Sequence, residues 1–352
     1  MSNYLQKSSA FSFFTKFFAW LFVFLLILEV VIRIFIIKPA YEHFVPGLGI
    51  VAVDNAVTVW GVEGYGVTHY LSNGEISTPY QSEISVVVLG DSYTEALQVS
   101  DNQKFVSVAE SVLQERGLKM DLHNLGISGR NIADHVYIAP FVRTMYSPDI
   151  VVVQLCKDDF IESFDFSGQN FFARNGASIE LIHNEDYFRV DSNLRNMVSS
   201  TGLGSLAIYK LRPIVQEQRL RLAKAAGQNQ VEGQVTAPDG LNSSEIGMQI
   251  NLLKKAYPDS QVVFLVIPDI PIVQGVELVL NNESNDLLVE AMNEFLDPPL
   301  LYPRDEFIEL YTTHQKFPRG FSNTLPNYGH LNSDGNFAVG VALADYLEGI
   351  AR

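Results

Sequence analysis

The sequence predicts an α/β fold, a doubly wound parallel sheet of about five strands with helices on both faces. Continuous apolar runs suit strands that are buried on both sides, and amphipathic stretches between the first of them suit crossover helices. With 352 residues, of which 47% are hydrophobic, the chain is long enough for one large domain with appendages. The runs that predict strands are 84–89, 122–125, 150–155 and 261–267.

Charge and cysteine content exclude several classes of protein. Asp and Glu number 40 against 24 Lys and Arg, which gives a formal net charge of −16. Proteins that bind nucleic acids use Lys and Arg to neutralise phosphates, so we expect no nucleic-acid partner. Cys156 is the single cysteine, which excludes an intramolecular disulfide and a thiolate-based zinc or iron–sulfur site. We expect it to pack as a small apolar residue.

The N-terminal segment 17–37 is apolar except for Glu29 and Arg33. Its length matches the roughly 20 residues that a helix needs to cross a bilayer. The two charges are spaced i, i+4, so that they can pair on one helix face. We interpret the segment as a transmembrane helix, with a buried or interfacial helix as the alternative.

The flanks of this segment predict its fate and its orientation. No small-residue cleavage pattern follows it, which favours a retained signal-anchor over a removed signal peptide. Lys7 and Lys16 precede it, whereas acidic sequence follows Lys38. By the positive-inside rule, residues 1–16 are expected in the cytoplasm and the domain outside it, in the periplasm or at the cell exterior.

Four segments are predicted along the chain, residues 1–16, 17–37, 38–83 and 84–352. Residues 38–83 contain Gly, Pro and aromatic residues without sustained periodicity, so we expect a connecting region packed on the domain. The last segment holds an insertion at about 160–260, because about 100 residues separate two predicted strands, whereas a minimal crossover needs about 10 to 12.

A basic helix is predicted inside the insertion at residues 205–226. A solvated helix face explains such a charge pattern, and contact with anionic headgroups or with an acidic glycan is the alternative. The charged residues are Lys210, Arg212, Arg219, Arg221 and Lys224.

The most informative motif is Gly90-Asp91-Ser92, which follows the apolar run 84–89. A tight turn after a buried parallel strand places a side chain at the carboxyl edge of the sheet, where α/β folds bind ligands. A serine nucleophile there requires a histidine to take its proton. His330 is the best placed of the seven histidines, since it lies in a turn-rich loop just before the last predicted helix.

Three sequence blocks in this order resemble those of the SGNH (GDSL-type) hydrolases. They are Val88 to Thr94, Asn124 to Gly129 and Asn327 to Asn332, and the resemblance covers the chain from about residue 84 to its end. It implies a flavodoxin-like fold, Ser92 as nucleophile, His330 as base, and an oxyanion hole formed by the amides of Ser92 and Gly129. It implies no cofactor.

Two positions depart from that family's pattern. Asp158 stands where the family has an asparagine that donates to the oxyanion, and a carboxylate can only accept. Burial and the neighbouring Asp159 would favour a protonated Asp158 that donates; a different local register is the alternative. Asn327 stands where the family has an aspartate. Its side-chain carbonyl is expected to accept the imidazole N–H, giving a Ser92–His330 dyad with support.

Acidic residues near the serine allow a second interpretation. Asp91, Asp158 and Asp159 could together bind a hard cation such as magnesium or calcium. The simpler interpretation is that Asp91 shapes the turn by local hydrogen bonds and that Asp159 supports the site. We therefore expect no metal.

The function that these observations favour is hydrolysis or transfer of an extracytoplasmic ester, carried by a glycan or a lipid, through an acyl-enzyme. One alternative is a membrane-anchored, catalytically impaired glycan-binding or assembly protein of the same fold. Another is a lipid-surface enzyme in which the basic helix docks on the bilayer. The sequence carries no signal for an oligomeric state.

Overall fold

The computed structural model describes residues 2–76, 82–166, 168–176, 178–184, 198, 200–211, 242–269, 271–274, 277–280, 285–296 and 300–351. The helices are α1 (Ser2–Phe35), α2 (Ser92–Glu95), α3 (Phe105–Glu115), α4 (Ile132–Tyr137), α5 (Ala139–Tyr146), α6 (Lys157–Glu162), α7 (202–211), α8 (Ser243–Ala256), α9 (Asn285–Asn293), α10 (Arg304–His314) and α11 (Ser333–Ala351). The strands are β1 (Ile37–Lys38), β2 (Glu42–Val45), β3 (Gly49–Ala52), β4 (Val57–Trp60), β5 (Gly66–His69), β6 (Ile84–Leu89), β7 (Met120–Asn124), β8 (Ile150–Leu155), β9 (Asn170–Asn175), β10 (Ser178–His183), β11 (Gln261–Val266), β12 (Pro271–Gln274) and β13 (Glu277–Leu280).

A parallel sheet with the order β11-β8-β6-β7 forms the centre of the fold, which confirms the α/β prediction. The chain starts this sheet at β6, adds β7 on one side, and then adds β8 and β11 on the other. A crevice forms at the carboxyl edge where the winding reverses. About five strands were expected; among the described residues four pair fully, and Leu301 adds a single parallel bridge to Leu265 on β11.

Successive side chains on the central strands point into two different cores. Val87, Val151 and Phe264 belong to a core formed with α4, α5, α6, α8 and α9, whereas Val86 and Val152 belong to a core formed with α3, α10 and α11. Because side chains alternate across a strand, a sheet that is covered on both faces requires apolar residues at every position. The continuous apolar runs of the sequence therefore follow from the two helical layers that cover the sheet.

The apolar N-terminal helix α1 is longer than predicted and ends earlier. Within its segment Phe11–Phe35, an 18-residue stretch has a mean hydropathy of 2.5, and the segment is long and apolar enough to cross a membrane. The prediction extended to residue 37, but Ile37 and Lys38 pair with β4 as strand β1. That pairing draws the backbone out of the helix.

Residues 38–83 form small antiparallel sheets in the part that the structure describes. Strands β1, β4 and β5 make one sheet, and β2 and β3 make a hairpin. The short loop between β4 and β5 is closed by the pairing of Trp60 with Gly66. This loop lies beside the carboxyl edge of the central sheet.

The predicted insertion contains the hairpin β9–β10 and the helices α7 and α8. The basic helix expected at 205–226 is described only as far as residue 211, within α7, where Lys210 is exposed. Residues 212–226, with Arg212, Arg219, Arg221 and Lys224, lie outside the described residues.

A buried lysine joins the small N-terminal sheet to α2. The Nζ of Lys104 donates to the backbone oxygens of Glu95 and Ala96, both at 2.7 Å, and to Thr68 Oγ1 at 3.0 Å. Lys104 is fully buried. Its burial lowers the pKa of the ammonium from 10.5 to about 8.

We expect the stability contributed by Lys104 to rise with pH. Between pH 8 and 10.5 the unfolded chain binds more protons at this residue than the folded chain, so the free energy of unfolding increases as the pH rises. In a K104M variant this residue does not titrate. The backbone oxygens of Glu95 and Ala96 lose their donor, which lowers the free energy of unfolding by about 1–3 kcal/mol. Measured by urea unfolding, the free energy of unfolding of K104M should lie below that of the wild type by an amount that increases from pH 8 to pH 10. A constant deficit would contradict a neutralised buried lysine.

Candidate active site

The turn after β6 presents Ser92 at the carboxyl edge of the sheet. Asp91 caps α2 by accepting the backbone N–H of Tyr93 at 2.9 Å, as expected for a residue that shapes the turn. Gly90 has no room for a side chain, since a Cβ there would overlap Thr94 Oγ1 and Gln154 Oε1. This close packing fixes the first residue of α2 at the edge of the sheet.

Ser92 and His330 meet at this edge although 238 residues separate them. The Nε2 of His330 lies 2.9 Å from Ser92 Oγ, within the range required of a general base. The ring of Tyr93 lies 5.2 Å from the imidazole ring, centroid to centroid. The loop before α11 therefore brings the predicted base to the predicted nucleophile.

Glu63, from the loop between β4 and β5, holds the other side of His330. Its Oε2 lies 2.7 Å from His330 Nδ1, and its Oε1 accepts the backbone N–H of His330 at 2.7 Å. Burial alone would raise the pKa of this carboxyl, but the hydrogen bond and charge of His330 outweigh it and lower the pKa. An ionised Glu63 fixes the tautomer in which Nε2 can accept a proton from Ser92.

This geometry corrects the prediction that Asn327 accepts the imidazole hydrogen. Glu63 occupies that position, and Asn327 instead shapes the loop, with a φ of 58° and its N–H donated to Arg319 O at 3.2 Å. Sequence reasoning missed Glu63 because it lies outside the three family blocks. The available signal was an acidic residue beside two turn-forming glycines, Gly61 and Gly64, between two short apolar stretches.

Two contacts hold the Glu63 loop against the His330 loop. Asn323 donates through Nδ2 to the oxygens of Gly61 and Gly64, both at 3.0 Å, and its Oδ1 accepts the N–H of Gly64 at 2.9 Å. Gly329 packs directly on the acid: a Cβ there would overlap Glu63 Oε1, and its φ is +83°. The position of Glu63 is thus determined by the C-terminal loop.

The buried side chain of Arg319 stabilises the His330 loop by hydrogen bonds. Its guanidinium donates to Gly329 O at 2.6 Å, to Pro268 O at 2.8 Å and to the Tyr93 hydroxyl at 2.5 Å. It therefore links the His330 loop both to the residue after Ser92 and to the segment that follows β11.

A cavity of about 560 Å³ opens beside Ser92. Gly129, the second residue expected to bind the oxyanion, lines it together with Ser92. Its φ of +83° turns the backbone in the loop after β7. The lining is mostly polar and comprises Asp91, Ser92, Tyr93, Gly129, Arg130, Cys156, Lys157, Asp158, Asp159, Glu162, Ile267, Pro268, Asp269 and Arg319.

The structure separates the roles of Asp158 and Asp159. Asp158 is exposed in the cavity, so the burial that was expected to keep it protonated is absent. Asp159 is buried, and its Oδ2 accepts the N–H of Cys156 at 2.6 Å. Burial and the charge of Asp91 raise the pKa of Asp159 well above its usual value. The helical phase of α6 turns the second aspartate inward and leaves the first in solvent.

The carboxylates of Asp91 and Asp159 lie close to the thiol of Cys156, with one potential ligand atom of each within 4.8 Å of the others. Asp91 and Asp159 already cap α2 and α6, and burial raises the pKa of the thiol, which disfavours the thiolate that a metal requires. The exposed Asp158 of the predicted cation cluster is not among these three residues. The geometry thus fits helix capping.

No family model matches the chain, and no curated protein matches it in sequence. Solved structures that resemble it include esterase EstA from a Pseudoalteromonas species, with 10% identity and a TM-score of 0.39 over 76% of this chain and 99% of that one. They also include a variant of Axe2, an acetylxylan esterase from Geobacillus stearothermophilus, with 13% identity and a TM-score of 0.39 over 76% and 95%. A third, TesA, has 12% identity and a TM-score of 0.37 over 76% and 99%.

We expect the reactivity of Ser92 toward a serine-directed probe to fall further in a G329A variant than backbone strain explains. Gly117 is the matched control, because its φ of +80° is similar but nothing lies within 4 Å of a Cβ at that position. Both variants carry the strain of an alanine in the left-handed region, about 1–2 kcal/mol, and only G329A displaces Glu63. Unfolding free energies should fall in both, whereas the rate of labelling by a serine-directed probe should fall in G329A alone. Equal labelling rates would contradict the contact with Glu63.

Proposed function

We propose that the chain is a serine ester hydrolase or acyltransferase of the SGNH type. The observation that carries this proposal is the line of hydrogen bonds from Ser92 Oγ to His330 Nε2, at 2.9 Å, and from His330 Nδ1 to Glu63, at 2.7 Å. Nucleophile, base and acid in this arrangement are the parts that acyl transfer requires.

In the proposed reaction His330 removes the hydroxyl proton of Ser92 as Oγ attacks the ester carbonyl. The resulting oxyanion faces the amides of Ser92 and Gly129. When the intermediate collapses, the ester C–O bond breaks and the leaving alcohol receives from Nε2 the proton that Ser92 gave up. Water or a sugar hydroxyl then attacks the acyl-enzyme with the same histidine as base, the bond between the acyl carbon and Oγ breaks, and Ser92 regains its proton from Nε2. Glu63 remains ionised and stabilises the imidazolium that forms in each half of the reaction.

Glu63 also favours the enzyme over the catalytically impaired binding protein. The departures at Asp158 and Asn327 together raise the possibility of a retired site, and Glu63 removes the second of these reasons because it supplies the carboxylate that position 327 lacks. A protein that only bound glycans would have no need of a half-buried acid held in a two-point contact with the histidine.

The cavity supports a polar substrate, and we propose an ester carried by a glycan or by a lipid headgroup. Exposed Asp158 and the carboxylates of Glu162 and Asp269 line the cavity, where they can accept hydrogen bonds from hydroxyl groups. They would disfavour an anionic substrate. In this proposal Asp158 contacts the alcohol part of the ester and takes no part in the oxyanion hole.

We further propose that α1 anchors the chain in a membrane, with residues 1–16 in the cytoplasm and the domain outside it. The length and hydropathy of Phe11–Phe35 and the exposure of its large apolar side chains support the anchor. The basic residues before the helix support the orientation.

A fluorophosphonate probe should label the purified full-length protein at Ser92. Attack by Oγ on phosphorus forms the Ser92–phosphorus bond and expels fluoride, which requires the activated hydroxyl. Labelling should disappear in S92A, measured by intact-protein mass. A folded wild-type protein that remains unlabelled would contradict the enzyme and favour the binding protein.

Substitutions of Glu63 and Asn327 separate the observed acid from the predicted one. We expect E63Q, which keeps the shape and removes the charge, to slow labelling by about 10²- to 10⁴-fold. N327G is the matched control, since glycine keeps the positive φ of position 327 and removes the side chain. It should label at close to the wild-type rate. A slow N327G beside a fast E63Q would reverse the assignment.

A further inference from the structure

The loop that carries Glu63 contacts the end of the apolar helix α1. The N–H of Gly61 donates to Ile36 O at 2.5 Å, and the hydroxyl of Tyr65 donates to Ile34 O at 3.1 Å. Two residues of chain span at most about 7 Å, so Glu63 lies close to the last turn of α1. The candidate active site is thereby held on the order of 20 Å from the end of this helix.

Helix α7 of the insertion is attached to α1 by the two charged residues of the apolar segment. Glu29 accepts the N–H groups of Gly202 and Leu203, at 2.7 and 2.9 Å, and pairs with Arg33 at 2.6 Å. Arg33 also donates to Ser200 O at 2.5 Å. The carboxylate of Glu29 thus acts as an N-cap for α7. It accepts hydrogen bonds from the first amides of that helix and pairs with the charge of Arg33.

The depth of Glu29 indicates where this contact lies. It is six residues before Phe35, about 9 Å along the helix. The segment Phe11–Phe35 has 25 residues and is therefore about 37 Å long, against about 30 Å for the hydrocarbon core. A centred helix extends about 4 Å beyond the core at each end, so Glu29 and the start of α7 lie about 5 Å inside its boundary, a depth that interfacial helices reach.

The last described turn of α7 has the residues of a membrane interface. Ile208, Tyr209 and Leu211 are 38%, 40% and 53% exposed. Tyr209 also packs edge-on against Trp60, with ring centroids 5.4 Å apart. Tyr and Trp are enriched at the headgroup level of membranes, and exposed aliphatic side chains beside them suit the acyl boundary.

We propose that α7 lies in the lipid–water interface of the membrane that α1 spans, with a lipid surface as its partner, and so keeps the Ser92 site at that surface. The inference rests on the proposed anchor and goes beyond it, because a spanning helix alone would allow the domain to stand away from the bilayer. Esters on membrane-attached molecules are then within reach of Ser92.

Fluorescence quenching in lipid nanodiscs tests this placement. Cys156 is the single cysteine, so a C156A background accepts one environment-sensitive fluorophore on a cysteine introduced at Leu211, Phe24 or Met145. Met145 is the matched control, because it is 56% exposed and Leu211 is 53% exposed. It lies at the sheet edge opposite Ser92, since Ser85, near the start of β6, donates a hydrogen bond to the backbone oxygen of the adjacent Tyr146. Phe24 reports on α1 itself.

Lipids with a spin-labelled acyl chain should quench the fluorophores at Phe24 and Leu211 several-fold more strongly than the one at Met145. Aqueous iodide should quench the fluorophore at Met145 most strongly. If lipid quenches the fluorophore at Phe24 strongly, but quenches the one at Leu211 as weakly as the one at Met145, the interfacial position of α7 is overturned and the anchor is left intact. Absence of lipid quenching at Phe24 would overturn the anchor and this inference with it, while probe labelling of Ser92 reports on the enzyme separately.

Discussion

The contact between Glu63 and His330 is the constraint on which the rest of the candidate site depends. One carboxylate accepts both the backbone N–H and the ring Nδ1–H of a histidine 267 residues away. It fixes the rotation of the ring and its tautomer together, so that Nε2 points at Ser92. Because the acid comes from the segment just after α1 and the base from the loop before α11, the two ends of the chain must pack together before the site exists.

The remaining structure serves to hold these two loops at the carboxyl edge of the sheet. The reversal of strand order beside β6 provides the crevice, and the cap by Asp91 provides the sharp turn that exposes Ser92. Lys104 ties the small N-terminal sheet to α2, and Asn323 ties the Glu63 loop to the C-terminal loop. The segment 38–83 is therefore a working part of the site. Its direct connection to α1 also explains why the site lies close to the apolar helix.

The sequence predicted those features that depend on local pattern. Strands β6, β8 and β11 were found almost at their observed bounds, because strands buried on both faces are continuous apolar runs. Edge strand β7 was placed late, at 122–125 instead of Met120–Asn124, because Asp121 and His123 interrupt its apolar pattern.

Ser92 and His330 were found from their blocks, whereas Glu63 was missed, since its pairing with His330 is a contact between distant segments that no local pattern encodes. For Asp158 and Asp159 the sequence identified the pair, but which one is buried depends on the phase of α6 against the cavity.

The most direct test of this account is a crystal structure of the protein after reaction with a fluorophosphonate. We expect phosphorus on Ser92 Oγ, a phosphonyl oxygen facing the amides of Ser92 and Gly129, and Glu63 within about 2.6–3.2 Å of His330 Nδ1. An adduct on Ser92 in which Asn327 or water occupies the Nδ1 position, with the Glu63 loop displaced, would contradict the central claim.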